Sequence, residues 1–589
     1  MAEIHGAGGP LPHIPDDLTI VQFMLDHQHP SQPVAKGTNT WLIEDATGRK
    51  IGFEEIRSRT NALANAIAAR WKIGESTVSA TQYPCVFSPN HVDYPVMLWA
   101  LHRIGVTVTT ANPAYTAGEL VHQLKTTATK LILVHPWNYA TAVTAAKTVG
   151  IPSSNIILLE PLPNTTGGAQ KQQHATVPEL IAGGARAPKS YTERKLAPGE
   201  ARTKIALLCF SSGTTGLPKA VAIPHYALIA NVIQIAAYAN SDKKPWETKS
   251  YRPGDVALAV LPFYHGYGLA YIMHFVLFYG MTLVVIPKFD FVNMLKSIQQ
   301  YRINYVPVVP PMIVLFCKHP DVKKFDLSSV RAIVSGAAPL SAEMTQQLAA
   351  VLPDVSISQG YGMTETSVIV AMPRLDKKIA TPGSSGVIIP GVTARVERSD
   401  GSLAPRGEPG ELVVTGPAVA LGYYKNEGAT KETFVNGWVR TGDEVIIDEN
   451  GELFIVDRIK ELLKVKGFQV APAELEGFLL DHPDVSDVCV VSILDDFSGD
   501  LPLAYVVPSA AAQQRIKANP AEADRIRRAL IKYVADGKVA YKQLTAGVEF
   551  IDAIPKNPSG KLLRRFLREQ AREKWKKGQL AAAPLKAKL

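Results

Sequence analysis

The sequence predicts an α/β protein of more than one domain, a large N-terminal unit followed by a small C-terminal one. Short apolar, β-branched runs alternate with helix-period segments over most of the chain, the pattern of parallel sheets flanked by helices. The chain is 589 residues long, well beyond what one hydrophobic core organises. Its texture also changes twice, near Gly383 and again after Asp457.

Residues 58–71 and 95–105 carry apolar side chains at helical spacing and are read as helices. Runs 204–210, 255–263, 282–287 and 330–336 are read as buried strands. The stretch 256–287 contains no Asp, Glu, Lys or Arg and imitates a membrane span. Pro262, His265, Gly266, Gly268, His274 and Gly280 interrupt it, so a strand, a loop, a buried helix and a second strand explain it better. No transmembrane segment is expected. Residues 167–186 are polar and contain glycines, and are read as a surface excursion. From Gly383 come short strands separated by Gly, Pro and Asp turns. After Asp457 a smaller α/β pattern runs to about Arg565, and the Lys-, Arg- and Ala-rich end from Arg568 is read as a frayed helix with a mobile tip.

Hydrophobic residues make up 46% of the chain and charged residues 20%, an ordinary globular balance. The net charge is +9, but outside a C-terminal cluster the basic residues are dispersed. That distribution suits an enzyme handling polyanions rather than a nucleic-acid binder. The four cysteines, Cys85, Cys209, Cys317 and Cys489, form no CxxC pair, which excludes a disulfide framework or zinc site and points to a reducing compartment. The N-terminus lacks the basic start and apolar run of a signal peptide.

The strongest local signal is Ser211-Ser212-Gly213-Thr214-Thr215-Gly216-Leu217-Pro218-Lys219, directly after a predicted strand. Small residues let backbone approach phosphate oxygens, hydroxyls donate hydrogen bonds, and the lysine supplies charge. It is not a Walker A loop, because Leu217 and Pro218 separate Gly216 from Lys219. Five further motifs follow in order: Ser335-Gly336-Ala337-Ala338-Pro339-Leu340, Gln359-Gly360-Tyr361-Gly362-Met363-Thr364-Glu365, Arg440-Thr441-Gly442-Asp443, Asp457-Arg458-Ile459-Lys460, and Pro555-Lys556-Asn557-Pro558-Ser559-Gly560-Lys561.

With these six motifs the chain resembles the acyl-adenylating superfamily of acyl-CoA synthetases, 4-coumarate–CoA ligases and beetle luciferases, from about Ile51 to Arg565. The resemblance implies a large N-terminal domain (1–457) of two α/β subdomains plus a small β-barrel-like subdomain. A hinge at 458–460, a mobile α+β C-terminal domain (461–567) and a basic tail (568–589) would follow. It implies ATP-dependent adenylation of a carboxylic acid, then thioester formation with CoA, releasing AMP and pyrophosphate. A luciferase-like oxygenase and an adenylation enzyme serving a carrier protein are the alternatives.

The resemblance also assigns roles. The 211–216 loop and Lys219 would hold phosphates; Gly336 to Pro339 and Gln359 to Tyr361 would form the adenine slot, with Met372 beside it. Thr364 would lie by the α-phosphate, and Glu365 with Thr215 would hold Mg²⁺. Asp443 would bind the ribose, with Arg458 and Lys460 nearby. Lys561 would be the adenylation lysine, offsetting the charge that gathers at the α-phosphorus. Lys460 matches the hinge, Lys464 the thioester-forming face, and Lys288, Lys466 and Gly467 the CoA contacts. His265 would lie near the acyl carboxylate. Tyr267, Tyr271, Val334, Ala337, Gly362, Val368 and Ile369 would wall the acyl pocket. Plant 4-coumarate ligases commonly carry a lysine where this chain has Val334, which argues against a phenol-specific acid and favours aryl-alkyl or fatty acids. The closing Ala587-Lys588-Leu589 resembles a peroxisomal address read by an import receptor, with the cytoplasm as the alternative location.

Overall fold

The computed structural model describes residues 3–73, 83–162, 174–193, 195–211, 218–466, 468–495, 499–557 and 560–580. Ser212 to Gly216, Gly467 and the Ala587-Lys588-Leu589 ending lie outside the described residues. Two seven-stranded, mainly parallel sheets build the first part of the chain. One runs Lys219–Pro224, Ile205–Ser211, Val108–Ala111, Cys85–Phe87, Ile132–Val134, Ile156–Leu158, Ala175–Thr176, and only its first pair is antiparallel. The other runs Ser356–Gln359, Ala332–Ser335, Tyr305–Val308, Val256–Ala259, Thr282–Val285, Thr40–Glu44, Lys50–Gly52, antiparallel only at its last pair. Their strands are continuous apolar runs because helices cover both faces. A nine-stranded antiparallel sheet follows, and it includes Tyr361–Met363, Val368–Met372, Trp438–Ile447 and Glu452–Arg458. A five-stranded sheet from Leu463 onward carries the C-terminal domain. The large core closes with Leu453, and separate small cores begin at Leu463.

The charge-free stretch resolves into the strand Val256–Ala259, a π-helix Tyr267–Val276 and the strand Thr282–Val285. Among the described residues no helix is long and apolar enough to cross a membrane. Ten residues of π-helix are unusual, and such segments concentrate at functional sites. Here the helix turns Tyr267 and Tyr271 toward a cavity.

Two readings are corrected. The described part of 167–186 is not an excursion: Val177–Arg186 is a helix packed on Phe53–Trp71, opened by a Thr176/Glu179 capping box. Gly184 permits that packing, since a Cβ there would lie 1.9 Å from Ala62 O. Nor does a frayed tail begin at Arg568. The helix Arg564–Lys576 runs through that point, burying Leu567 and Ala571 against Val485–Asp495, and Leu580 is buried as well.

Three buried histidines are held neutral. His102 Nε2 donates to Ala206 O at 3.1 Å, His225 Nδ1 accepts from Ile20 N at 3.0 Å, and His274 accepts from Trp99 Nε1 at 3.2 Å while donating to Leu269 O at 2.7 Å. Burial lowers His102 to about 3, His274 to about 4, and His225 well below the usual value. Their folded values lie below the unfolded one, so their contribution is complete above about pH 6.5 and is lost as pH falls. Each should cost about 1.4 kcal/mol per pH unit below that point. The urea midpoint should therefore fall from pH 7 to pH 5, the three rings outweighing Asp255 and Asp457, whose burial raises them to about 6 and so favours the fold as pH falls. A flat midpoint would mean that these rings charge freely in the fold.

Candidate active site

A cavity of about 400 Å³ lies where the second parallel sheet, the antiparallel sheet and the C-terminal domain meet. One wall is the turn after Ala332–Ser335. Ala337 takes a left-handed φ of 67°, and Gly336 carries no Cβ where one would sit 2.9 Å from the Tyr267 ring. Tyr267 lies flat on this turn and donates to Val334 O at 3.1 Å. Gln359 braces it, accepting from Leu340 N and donating to Ser385 Oγ at 2.7 Å. The expected adenine slot is thus a backbone turn held by one buried amide.

The next wall is the strand Tyr361–Met363, a single 3₁₀ turn Thr364–Thr366, and the returning strand Val368–Met372. The reversal needs positive φ at two consecutive residues, Ser367 at 52° and Val368 at 113°. A β-branched residue in that region is strained. Gly362 and Gly266 make room for it: Cβ atoms there would lie 1.7 Å from Val368 O and 2.6 Å from Val368 Cγ2. The turn directs both Glu365 and Val368 into the cavity. Glu365 accepts from Ser211 Oγ at 3.2 Å and from Tyr423 OH at 2.8 Å. Ser211 and Lys219 pair directly across antiparallel strands, so both residues are fixed at the cavity. The Lys219 ammonium lies 4.8 Å from the Tyr423 ring centroid.

Asp443 and Arg458 are register partners on neighbouring strands. The buried Asp443 carboxylate is 2.5 Å from Arg458 Nε and accepts from Tyr361 OH at 2.6 Å. Burial raises its pKa; Arg458, Tyr361 and Lys561 pull against that rise. Lys561 enters from the C-terminal domain on the turn that follows Asn557, whose side chain accepts from Lys561 N at 2.8 Å. Gly560 has a φ of 79°, and a Cβ there would lie 2.8 Å from Val309 of the large domain. Only glycine fits that approach. Burial and Arg458 lower the Lys561 pKa, while Glu461, Asp443 and Glu365 oppose them. His265 lines the same cavity and is pushed down to about 4 by burial and by Lys561. Its Nδ1 accepts from Tyr267 N at 3.4 Å, so the neutral ring carries its proton on Nε2.

The structure therefore brings together at this cavity Ser211, Lys219, His265, Tyr267, Tyr271, Val334, Gly336, Ala337, Gly360, Tyr361, Gly362, Thr364, Glu365, Val368, Ile369, Met372, Arg458, Lys460 and Lys561. Ala338, Pro339, Gln359 and Asp443 line an adjoining cleft of about 520 Å³ between the domains. Lys288, Lys464 and Lys466 are exposed and line neither space.

Sequence reasoning missed the residues that hold these walls. Asn90 donates to Ala259 O and Leu261 O at 3.0 and 2.9 Å and accepts from Phe263 N at 2.7 Å, while Thr110 donates to Tyr264 O at 2.9 Å. Both fix the segment leading into His265 from the other subdomain. Asn231 grips Ile369 twice, donating to its carbonyl at 2.9 Å and accepting from its N–H at 3.1 Å. Its signal was visible: an amide inside the apolar helix His225–Asn240 must have a buried partner.

The cavity brings acids, cations and apolar side chains together, and the C-terminal domain supplies one of its lysines. The sequence profile of AMP-binding enzymes matches residues 28–424, and that of the AMP-binding enzyme C-terminal domain matches 474–561. The 4-coumarate–CoA ligase 5 of Oryza sativa subsp. japonica is 34% identical over 563 residues, 94% of this chain and 95% of its own. The acyl-CoA ligase AFT1-1 of Alternaria alternata is 33% identical over 575 residues, 95% and 96% of the two chains. The crystal structure of the anthranilate CoA ligase AuaEII with anthranoyl-AMP matches with a TM-score of 0.78 at 22% identity, covering 95% of this chain and 99% of that one. At that identity the match establishes the fold. The chain belongs to the AMP-binding enzyme family, and it is an adenylate-forming enzyme of the acyl-CoA ligase type.

Proposed function

We propose that the protein activates a largely apolar aryl-alkyl or fatty acid with ATP and passes the acyl group to CoA. The observation that supports this most is the placing of Lys561 beside His265 in one cavity that both charged and apolar side chains line. In the first step a carboxylate oxygen attacks the α-phosphorus of ATP and pyrophosphate leaves. Lys561 stabilises the charge gathering there, and the neutral His265 donates its Nε2–H toward the acyl carboxylate. In the second step the CoA thiolate attacks the acyl carbonyl carbon and AMP leaves. Rotation about 458–460 would withdraw Lys561 and present Lys464, Lys466 and Gly467, with Lys288 as a CoA-phosphate contact.

Glu365 is a buried oxygen donor facing the cavity, and it suits Mg²⁺, which binds through one or two carboxylates plus substrate phosphates. The metal would neutralise phosphate charge there, held by Glu365 and by Thr215 of the phosphate loop.

The acid's apolar character rests on the deep end. Val334, Val368 and Ile369 line it, and the Tyr hydroxyls turn elsewhere: Tyr267 to Val334 O, Tyr271 to Tyr305 and Tyr251. Thioester formation with ATP and CoA should therefore run faster with cinnamate or octanoate than with 4-coumarate. Faster turnover of the para-hydroxylated acid would refute the pocket reading. CoA-independent light emission with luciferin would favour the oxygenase alternative.

A further inference from the structure

The helix Pro472–Leu480 of the C-terminal domain is finished at both ends by residues of the large domain. Its own N-cap, Ala471, makes no side-chain hydrogen bond. Instead Asp457, at the end of the large-domain strand Glu452–Arg458, accepts from Ala473 N at 3.1 Å. At the other end Lys318, the last residue of the helix Pro310–Lys318, donates to Leu480 O and Val485 O at 2.8 Å each. Gln347 adds a third contact there, donating to the C-cap residue Asp481 at 2.8 Å. A carboxylate at the N-terminus and an ammonium at the C-terminus both complement the helix dipole. Between the ends the helix lies close on the large domain, because a Cβ on Gly477 would be 3.0 Å from Ser341 Cβ.

Every one of these contacts joins a residue before 458–460 to one after it. They coexist with Lys561 in the cavity, and a rotation about that segment would break all of them together. They are also few and polar, so their groups can be handed to water or to new partners when the domain turns.

We infer that Asp457 and Lys318 are positioning residues that grip the two ends of the 472–480 helix, hold Lys561 in the cavity and so set the balance between the two half-reactions. The inference rests on the proposed rotation about 458–460. Lys318 is exposed, so Lys318→Met should fold normally, and Lys318→Arg keeps the charge.

The test measures three things on the full chain. They are acid-dependent pyrophosphate exchange with cinnamate or octanoate, single-turnover transfer to CoA from the pre-formed acyl-AMP, and tryptic nicking within 458–467 without ligand. Lys318→Met and Asp457→Ala should slow exchange about threefold to tenfold, the scale of one typical net hydrogen bond at a partly solvated site. Transfer should hold or rise, nicking should accelerate, and Lys318→Arg should restore all three. Equal loss in both half-reactions, or no change in any readout, overturns the clamp. Lys561→Ala separates the two ideas: if it damages both half-reactions equally, the rotation itself fails. If it separates them while Lys318→Met does not, only the clamp fails.

Discussion

Lys561→Ala should slow formation of the acyl-adenylate by about 10²–10³-fold, the scale of a lost transition-state electrostatic contact. The lysine is seated among groups of both signs, with Arg458 on one side and Glu461, Asp443 and Glu365 on the other. It is therefore held in place before charge develops on the phosphorus, and among the described residues it is the cation that acts on His265. The variant should still convert supplied acyl-AMP and CoA to thioester, because that step follows withdrawal of the C-terminal domain. Pyrophosphate exchange and single-turnover transfer measure the two steps separately. Equal damage to both would remove the domain-alternation mechanism and leave the ligase class standing.

The largest stability effect is expected at Arg564, three residues beyond that lysine. Its guanidinium bonds Glu461 Oε2 at 3.0 Å, both oxygens of Glu476, and Val490 O at 2.8 Å, with little exposure to solvent. Burial alone would raise the Glu461 pKa, but Arg564 and Lys561 hold it below its usual value. Arg564→Met leaves two carboxylates in a buried site without their cation, at a cost of about 3–5 kcal/mol. Pulse proteolysis in urea, scored on fragments from 461–580, should show the loss. The sign with pH is fixed. A depressed carboxylate stabilises the fold above its unfolded pKa and ceases to do so as pH falls, so the gap between variant and wild type should narrow in acid. A loss under about 1 kcal/mol would place the cluster in solvent.

The site motifs were legible because their chemistry is local. A small-residue turn or a Gly-Lys ending needs particular side chains within a few positions, and Gly336, Gly362 and Gly560 each proved to lie where a Cβ would collide. The charge-free stretch was also readable, since proline, histidines and glycines punctuate it into short segments. The partners of the supports were not legible. Asn90 reaches across more than 160 residues to the segment before His265, and Asn231 across 138 to Ile369. Nothing local marks such a partner. The helix Val177–Arg186 was misread for another reason: its paired glycines looked like loop composition, yet Gly184 serves close packing against Ala62.

The turn at Ser367–Val368 has a consequence for how this pocket can change. Its valine wall stands on backbone that only glycine occupies at ease. A glycine there would relax the chain and would also remove the wall, opening the cavity toward the space between Gly266 and Gly362. Relief of backbone strain and loss of a buried valine side chain thus pull in opposite directions at one residue. Exchange at Val368 would reshape the cavity wall with little net gain in stability, so the strain persists wherever the wall is kept.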